Sequence, residues 1–289
     1  MTWVEGVPRL AYSSAGHGVP LVFMHGIGGN RSNWSEQVAH FAARYHAVAW
    51  DARGYGDSDD YATPLHFADF SADLHRLLDA LGATAAHLVG LSMGGRIALD
   101  FYERAPQRVL SLTLADSFPG YDESFTPEAR EKFIRLRKQP LLEGKTPRDI
   151  APIVAKTLVS QTAVDAHVQR LVDSLAALHQ ESYIKAIEAM TRYEPVAALH
   201  DIRVPTLVVV GDEDRLTPPQ IAREMAAKIP NARLAILRHA GHLSNIEQPR
   251  WFNRVLDEFL SELGEKRSPA ARSTTAEQTL DQRDLELIR

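Results

Sequence analysis

Six apolar runs limit what this chain can fold into: PLVFMHG (20–26), HAVAWD (46–51), AHLVG (86–90), VLSLTLAD (109–116), PTLVVVG (205–211) and ARLAIL (232–237). A strand with one wet face alternates apolar and polar residues. Runs this uniform suit strands covered on both faces, as in a parallel sheet. Helical patterns lie between them. FADFSADLHRLLDALG (67–82) sets Phe67, Phe70, Leu74, Leu77, Leu78 and Leu81 on one stripe and stops at Gly82. GRIALDFYERAP (95–106) and PPQIAREMAAKIP (218–230) each close near a proline, and QPRWFNRVLDEFLSELG (248–264) ends at a glycine. Such alternation predicts right-handed βαβ units in an α/β, mostly parallel, doubly wound sheet. Residues 2–14 read instead as a short antiparallel hairpin.

One stretch breaks the rhythm. Between about Phe118 and Leu199 no strong strand pattern occurs, and PEAREKFIRLRK, DIAPIVAKTLV, AVDAHVQRLVDSLAALH and ESYIKAIEAM are helical. A helical insertion between two strands is expected to lie as a lid over their C-terminal edge. The chain therefore divides into a core of residues 1–117 and 200–264, a helical lid of 118–199 inserted before the last two strands, and a flexible tail of 265–289 with room for a short terminal helix.

At 289 residues the chain can bury a substantial core. A net charge of -5 argues against a nucleic-acid surface or an anionic-membrane anchor. The absence of cysteine excludes disulfides, thiolate metal sites and a cysteine nucleophile, and it agrees with a cytoplasmic chain. The opening MTWVEGVPRLAYSSAG has no basic region followed by an apolar one, so no secretory signal is expected, and no apolar run approaches the length of a bilayer span. The expectation is a soluble, cytoplasmic protein with no nucleic-acid or membrane partner; a homo-oligomer stays open.

The stretch HLVGLSMGGRIALDF (87–101) sets Ser92 among glycines between a strand and a helix. Gly90-Leu91-Ser92-Met93-Gly94 fits G-x-S-x-G in the context that pattern requires, with the hydroxyl raised from the sheet and the helix N-terminus aimed at developing negative charge. An attacking serine needs a base. Among twelve histidines, His242 in RHAGHLSNIEQP follows the last strand and lies at the sheet's C-terminal edge, where Ser92 points. His239, nearer the strand end, is its rival and is read as structural. The base needs an orienting carboxylate, and three aspartates end strands: Asp116, Asp212 and Asp214. Chain order does not separate them. The pattern G-x-x-D followed by a proline favours Asp214, leaving Asp212 to stabilise the turn and Asp116 to cap the start of the lid. The glycine-rich turn MHGIGGN (24–30) offers backbone N–H groups, so Ile27 and Met93 are the expected oxyanion donors. It lacks the third glycine of a dinucleotide loop, and no P-loop lysine is present. DARGYGDSD (51–59) reads as a structural loop with Arg53 as a candidate brace. No metal or cofactor is implied.

These pieces resemble an α/β-hydrolase from about Leu21 to Leu263: HGIGG for HGxGG, DARGYGDS for DxRGxGxS, GLSMGG for GxSxGG, GDEDRLTP for GxxDxxTP and GHLSNIEQP for GHxxxxEQP. The last motif and the all-helical lid are similar to 3-oxoadipate enol-lactonases and related small carboxylesterases, with haloperoxidase-like esterases and C–C bond hydrolases as near neighbours. A serine at position 92 speaks against haloalkane dehalogenases and epoxide hydrolases, which use an aspartate. The resemblance implies a small-molecule ester or lactone substrate, a C–C hydrolase as alternative, or a ligand receptor that keeps the hydrolase residues. Phe118, Tyr121, Phe125, Leu141 and Met190 are the candidate pocket residues from the lid, with Trp34 from the oxyanion side. RLRK (135–138) is read as a solvated helix face that could attract an acidic substrate.

Overall fold

The computed structural model describes residues 1–120, 126–192 and 199–267. The six apolar runs form strands, and the N-terminal hairpin adds two. In chain order they are β1 (Thr2–Val4), β2 (Leu10–Ala15), β3 (Pro20–Met24), β4 (His46–Trp50), β5 (Ala86–Leu91), β6 (Val109–Ala115), β7 (Thr206–Gly211) and β8 (Arg233–Leu237). One sheet holds them in the order β1-β2-β4-β3-β5-β6-β7-β8. β2 pairs antiparallel with β1 and β4, and every other pairing is parallel. Every residue of β3, β5 and β7 is buried, which is why these runs are apolar without alternation.

The helices are α1 (Ser35–Phe41), α2 (Phe67–Ala80), α3 (Met93–Arg104), α4 (Pro127–Leu142), α5 (Pro147–Leu158), α6 (Asp165–Ala176), α7 (Gln180–Arg192), α8 (Pro219–Lys228), α9 (Ser244–Glu247) and α10 (Pro249–Arg267). The stripe on α2 buries Phe67, Phe70, Leu74, Leu77 and Leu78, and α10 buries Phe252, Leu256, Phe259 and Leu260. α1 has no counterpart among the sequence expectations; its seven residues are too few to show a periodic stripe. α10 runs into the segment read as a tail, and residues 268–289 lie outside the described ones. Among the described residues no helix is long and apolar enough to cross a membrane.

From β3 the chain moves outward to β4 and then returns across β3 to β5. The connections leaving β3 and β5 therefore diverge, and a crevice opens beyond their C-terminal ends. The four helices α4–α7 occupy the interval between β6 and β7, as the missing strand pattern predicts. Inside this insertion α5 packs on α6 and α4 on α7. Thr146 begins α5 with a reciprocal cap: its hydroxyl accepts from the Asp149 N–H, and the Asp149 carboxylate accepts from the Thr146 N–H at 2.7 Å.

Candidate active site

Ser92 stands between β5 and α3 with φ 54° and ψ -113°. A left-handed serine is strained and persists only where its surroundings hold it. The turn is too close for side chains on either side. A Cβ at Gly90 would collide with the backbone of Gly94, and one at Gly94 with the Met24 carbonyl oxygen. The Ser92 N–H donates to the Ala115 carbonyl (2.9 Å), and the Ser117 hydroxyl donates to the Ser92 carbonyl (2.8 Å), so the turn is fixed to the end of β6.

A hydrogen-bonded chain runs from this serine. The Ser92 Oγ lies 3.0 Å from His242 Nε2, and His242 Nδ1 lies 2.8 Å from Asp214 Oδ2. All three residues are buried. Asp214 also accepts from the N–H groups of Leu216 (2.8 Å) and Thr217 (3.0 Å) and from the Thr217 hydroxyl (2.6 Å). Burial opposes the Asp214 charge, but the bond and charge of His242 and the Thr217 donors outweigh it and hold its pKa below the usual value. Burial likewise opposes a charged His242; Asp214 and then the Asp116 charge reverse this and raise its pKa. With Nδ1–H donated to Asp214, the Nε2 lone pair faces the Ser92 hydroxyl.

The rival residues take other places. Asp116 is fully buried at φ 44°, accepting at Oδ1 from Gly211 N–H (2.9 Å) and at Oδ2 from the Ser244 N–H (3.1 Å) and hydroxyl (2.5 Å). Burial first, and the Asp214 charge second, push its pKa up to about 8. Asp212 is exposed and faces the Ala240 N–H at 3.4 Å. His239 is exposed, at φ 57°, and its carbonyl accepts from Gln248. Arg53 braces α2 and stays out of the site: its guanidinium donates to Asp73 at 2.6 and 2.8 Å.

The turn after β3 is held by His25, which sequence reasoning passed over while weighing the glycines beside it. Its Nδ1–H donates to the Gly26 carbonyl (2.8 Å), and its Nε2 accepts from the Ala52 N–H (3.1 Å). Burial keeps its pKa below the usual histidine value, in keeping with a neutral ring that accepts as well as donates. Gly26 and Ile27 border the same cavity as Ser92 and His242. Met93 opens α3, where a backbone N–H has no intrahelical acceptor.

Above these groups lies a cavity of about 1250 Å³. Of the candidate pocket residues, Phe118 and Met190 border it; Tyr121 and Phe125 fall outside the described residues. Trp34 and Leu141 do not border it. Trp34 is fully buried in the core, 5.1 Å from the Phe23 ring and 5.7 Å from that of Phe252. Leu141 turns into the apolar core instead. The lining that sequence reading missed includes Phe133, Leu158 and Tyr183, and Arg137 of the RLRK stretch borders it as well.

The segment after α5 is bonded to the loop that carries His242. The Leu158 carbonyl accepts from the His242 N–H (2.7 Å). The buried Glu247 carboxylate accepts from Ser160 N–H (2.9 Å) and Gly241 N–H (2.8 Å), and Glu213 accepts from Gln161 N–H (2.8 Å). Gly241 has no room for a side chain, because a Cβ would meet the backbone of residues 158–160. Among the described residues no three His, Asp or Glu side chains form a metal-binding group.

A family model described as alpha/beta hydrolase fold matches residues 19–249. The chain is 31% identical over 268 residues to a 2-hydroxy-6-oxononadienedioate/2-hydroxy-6-oxononatrienedioate hydrolase of Paraburkholderia phymatum, covering 88% of this chain and 91% of the relative. It is 28% identical over 240 residues to 3-oxoadipate enol-lactonase 2 of Acinetobacter baylyi, covering 82% and 86%. A solved esterase from Thermogutta terrifontis superposes with a TM-score of 0.81 at 28% identity, covering 89% and 94%.

Proposed function

The chain belongs to the alpha/beta hydrolase fold family, and on that premise we propose that it is a serine hydrolase that cleaves a carboxylic ester or lactone through an acyl-enzyme. One observation carries the reading: the unbroken chain from Ser92 Oγ through His242 to Asp214, with contacts of 3.0 and 2.8 Å, opening on a large cavity. Ser92 Oγ attacks the carbonyl carbon as its proton passes to His242 Nε2. Asp214 holds the imidazole in the required tautomer and stabilises the imidazolium. The oxyanion accepts from the N–H groups of Ile27 and Met93, donors worth roughly 3 kcal/mol each. The tetrahedral adduct then breaks its bond to the alkoxide, which leaves with the Nε2 proton. His242 next takes a proton from water, the resulting hydroxide adds to the acyl carbon, and Ser92 departs with the proton returned.

The likeness to the Paraburkholderia phymatum hydrolase favours a second reading. Its name describes a keto acid with no ester, so its hydrolysis breaks a C–C bond beside the ketone. The same three side chains would serve that reaction here.

Initial rates on 4-nitrophenyl acetate, butyrate and octanoate and on an enol-lactone test the proposal, with Ser92→Ala as the blank. The substitution should lower kcat by roughly 10⁶-fold without unfolding the chain. Retained turnover would remove Ser92 as nucleophile. No turnover of any ester or lactone by the unaltered protein would leave C–C hydrolysis or ligand binding in its place.

A further inference from the structure

The turn that carries Ile27 contains two peptide groups linked in series. The Gly26 carbonyl accepts from the Gly29 N–H (2.9 Å) and from His25 Nδ1–H (2.8 Å). In a trans peptide the N–H points opposite to the carbonyl, so fixing the Gly26 oxygen on one side aims the Ile27 N–H to the other. That N–H meets no acceptor among the described residues, and Ile27 borders the cavity with Ser92. The Gly29 N–H belongs in turn to the peptide group whose carbonyl is that of Gly28.

The Gly28 carbonyl is held from the helical insertion. On α6 the Ser174 hydroxyl lies 3.2 Å from it, and the Ser174 oxygen accepts from Asn30 Nδ2 at 3.3 Å. Asn33 Oδ1, also 3.2 Å from Ser174 Oγ, is a second acceptor for the one hydroxyl proton, but it already accepts from the Asn30 N–H at 2.9 Å. Ser174 is buried. Its neighbour Leu175 closes the space on Gly28, where a Cβ would come within 2.7 Å of the leucine side chain. One turn earlier, Arg170 donates to the Ser32 carbonyl (2.7 Å) and the Ser35 hydroxyl (2.8 Å) and pairs with Glu36. α6 is thus tied to the segment 28–36, and one of its ties enters the peptide series that ends at Ile27.

We propose that Ser174 is a positioning residue for the oxyanion: through the Gly28 and Gly26 peptide groups it sets the direction of the Ile27 N–H. Hydrogen bonds in series also polarise one another, which strengthens the last donor. A helix of the insertion then belongs to the catalytic apparatus and is more than cavity wall. This rests on the hydrolase reading above and adds to it a residue that touches no reacting atom.

Ser174→Ala should lower kcat on 4-nitrophenyl butyrate about three- to tenfold, the effect of one neutral hydrogen bond, and leave KM unchanged. The deciding readout is the preference for that ester over O-(4-nitrophenyl) thionobutyrate. Sulfur is a weak acceptor, so the thionoester draws little on the oxyanion donors. The preference should fall in Ser174→Ala by the same factor as kcat. Arg170→Ala removes the contacts to Ser32, Ser35 and Glu36 without touching the two peptide groups, and should leave the preference as it is. An unchanged preference in Ser174→Ala overturns the proposal, whether or not activity falls, because Ser174 would then only seat the helix. A fall as large in Arg170→Ala overturns it too. Should the unaltered protein turn over the ester without the thionoester, or neither, hydrogen exchange of the Gly29 amide decides: faster exchange in Ser174→Ala supports the series, and an equal rate overturns it. Failure on every ester removes the hydrolase reading by itself.

Discussion

β6 and β7 are neighbours in the sheet, and a buried aspartate follows each at the crevice: Asp116 directly after β6, Asp214 a short turn after β7. They share residue type, strand polarity and burial, yet only Asp214 meets His242. The difference lies in which donors each carboxylate collects. Asp214 takes its neighbours from its own turn, through Leu216 and Thr217, and keeps one oxygen turned to the imidazole. Both Asp116 oxygens are engaged by other elements, Gly211 at the end of β7 and Ser244 at the start of α9. One aspartate thus faces the imidazole of His242, while the other fastens the end of β7 to the segment after His242. Position at a strand end does not assign the role; the surrounding donors do.

Three experiments bear on this contrast. Asp214→Asn keeps the shape and removes the charge that holds His242 in its tautomer, so kcat should fall by roughly 10⁴-fold. A larger loss in Asp116→Asn would exchange the two roles. Above pH 8, where Asp116 is a carboxylate, Asp116→Asn should itself cost about 1–3 kcal/mol of stability, because an amide group cannot accept from all three donors. Its loss of kcat should stay near tenfold and be accompanied by a lower Tm. Unaltered Tm with a 10⁴-fold loss would mark Asp116 as a direct participant. The smallest effect is a displacement of the pH profile. Burial lowers the His242 pKa, but Asp214 and Asp116 outweigh it and raise the pKa above the ordinary 6.5. A base works when neutral, so kcat/KM should fall on acidification with a midpoint above 6.5. A midpoint below that value would contradict the pairing with Asp214.

Much of the sheet was legible because burial on both faces favours apolar runs, and β3, β5 and β7 are buried at every position with only His87 and Thr206 polar. Ser92 was legible because its turn tolerates only glycine at Gly90 and Gly94. The aspartate that meets His242 was legible through one local pattern only: chain order fits Asp116, Asp212 and Asp214 equally, and G-x-x-D followed by a proline is what singles out Asp214. Pocket residues were the least legible. Trp34 is large and close in sequence to the oxyanion turn, but its ring sits between Phe23 and Phe252. In the insertion a helix can bury one side against another helix and present another to the cavity. Periodicity marks an apolar stripe without telling which surface it meets, so Tyr183 and Phe133 went unread. His25 carried a signal that was available, an imidazole directly after an apolar strand at the sheet's C-terminal edge.

The bonds from Leu158, Ser160 and Gln161 to the loops around His242 bear on how this protein can be recombined. The helices above the cavity look like a cassette that could be exchanged with a relative's to change substrate range. The backbone of 158–161 belongs with the sheet's loops, because it fits against Gly241 and shares the Glu247 carboxylate with it. A crossover placed ahead of Leu158 carries only cavity wall into the chimaera. One placed beyond Gln161 also replaces the seat of the imidazole, and Glu247 would have to travel with it.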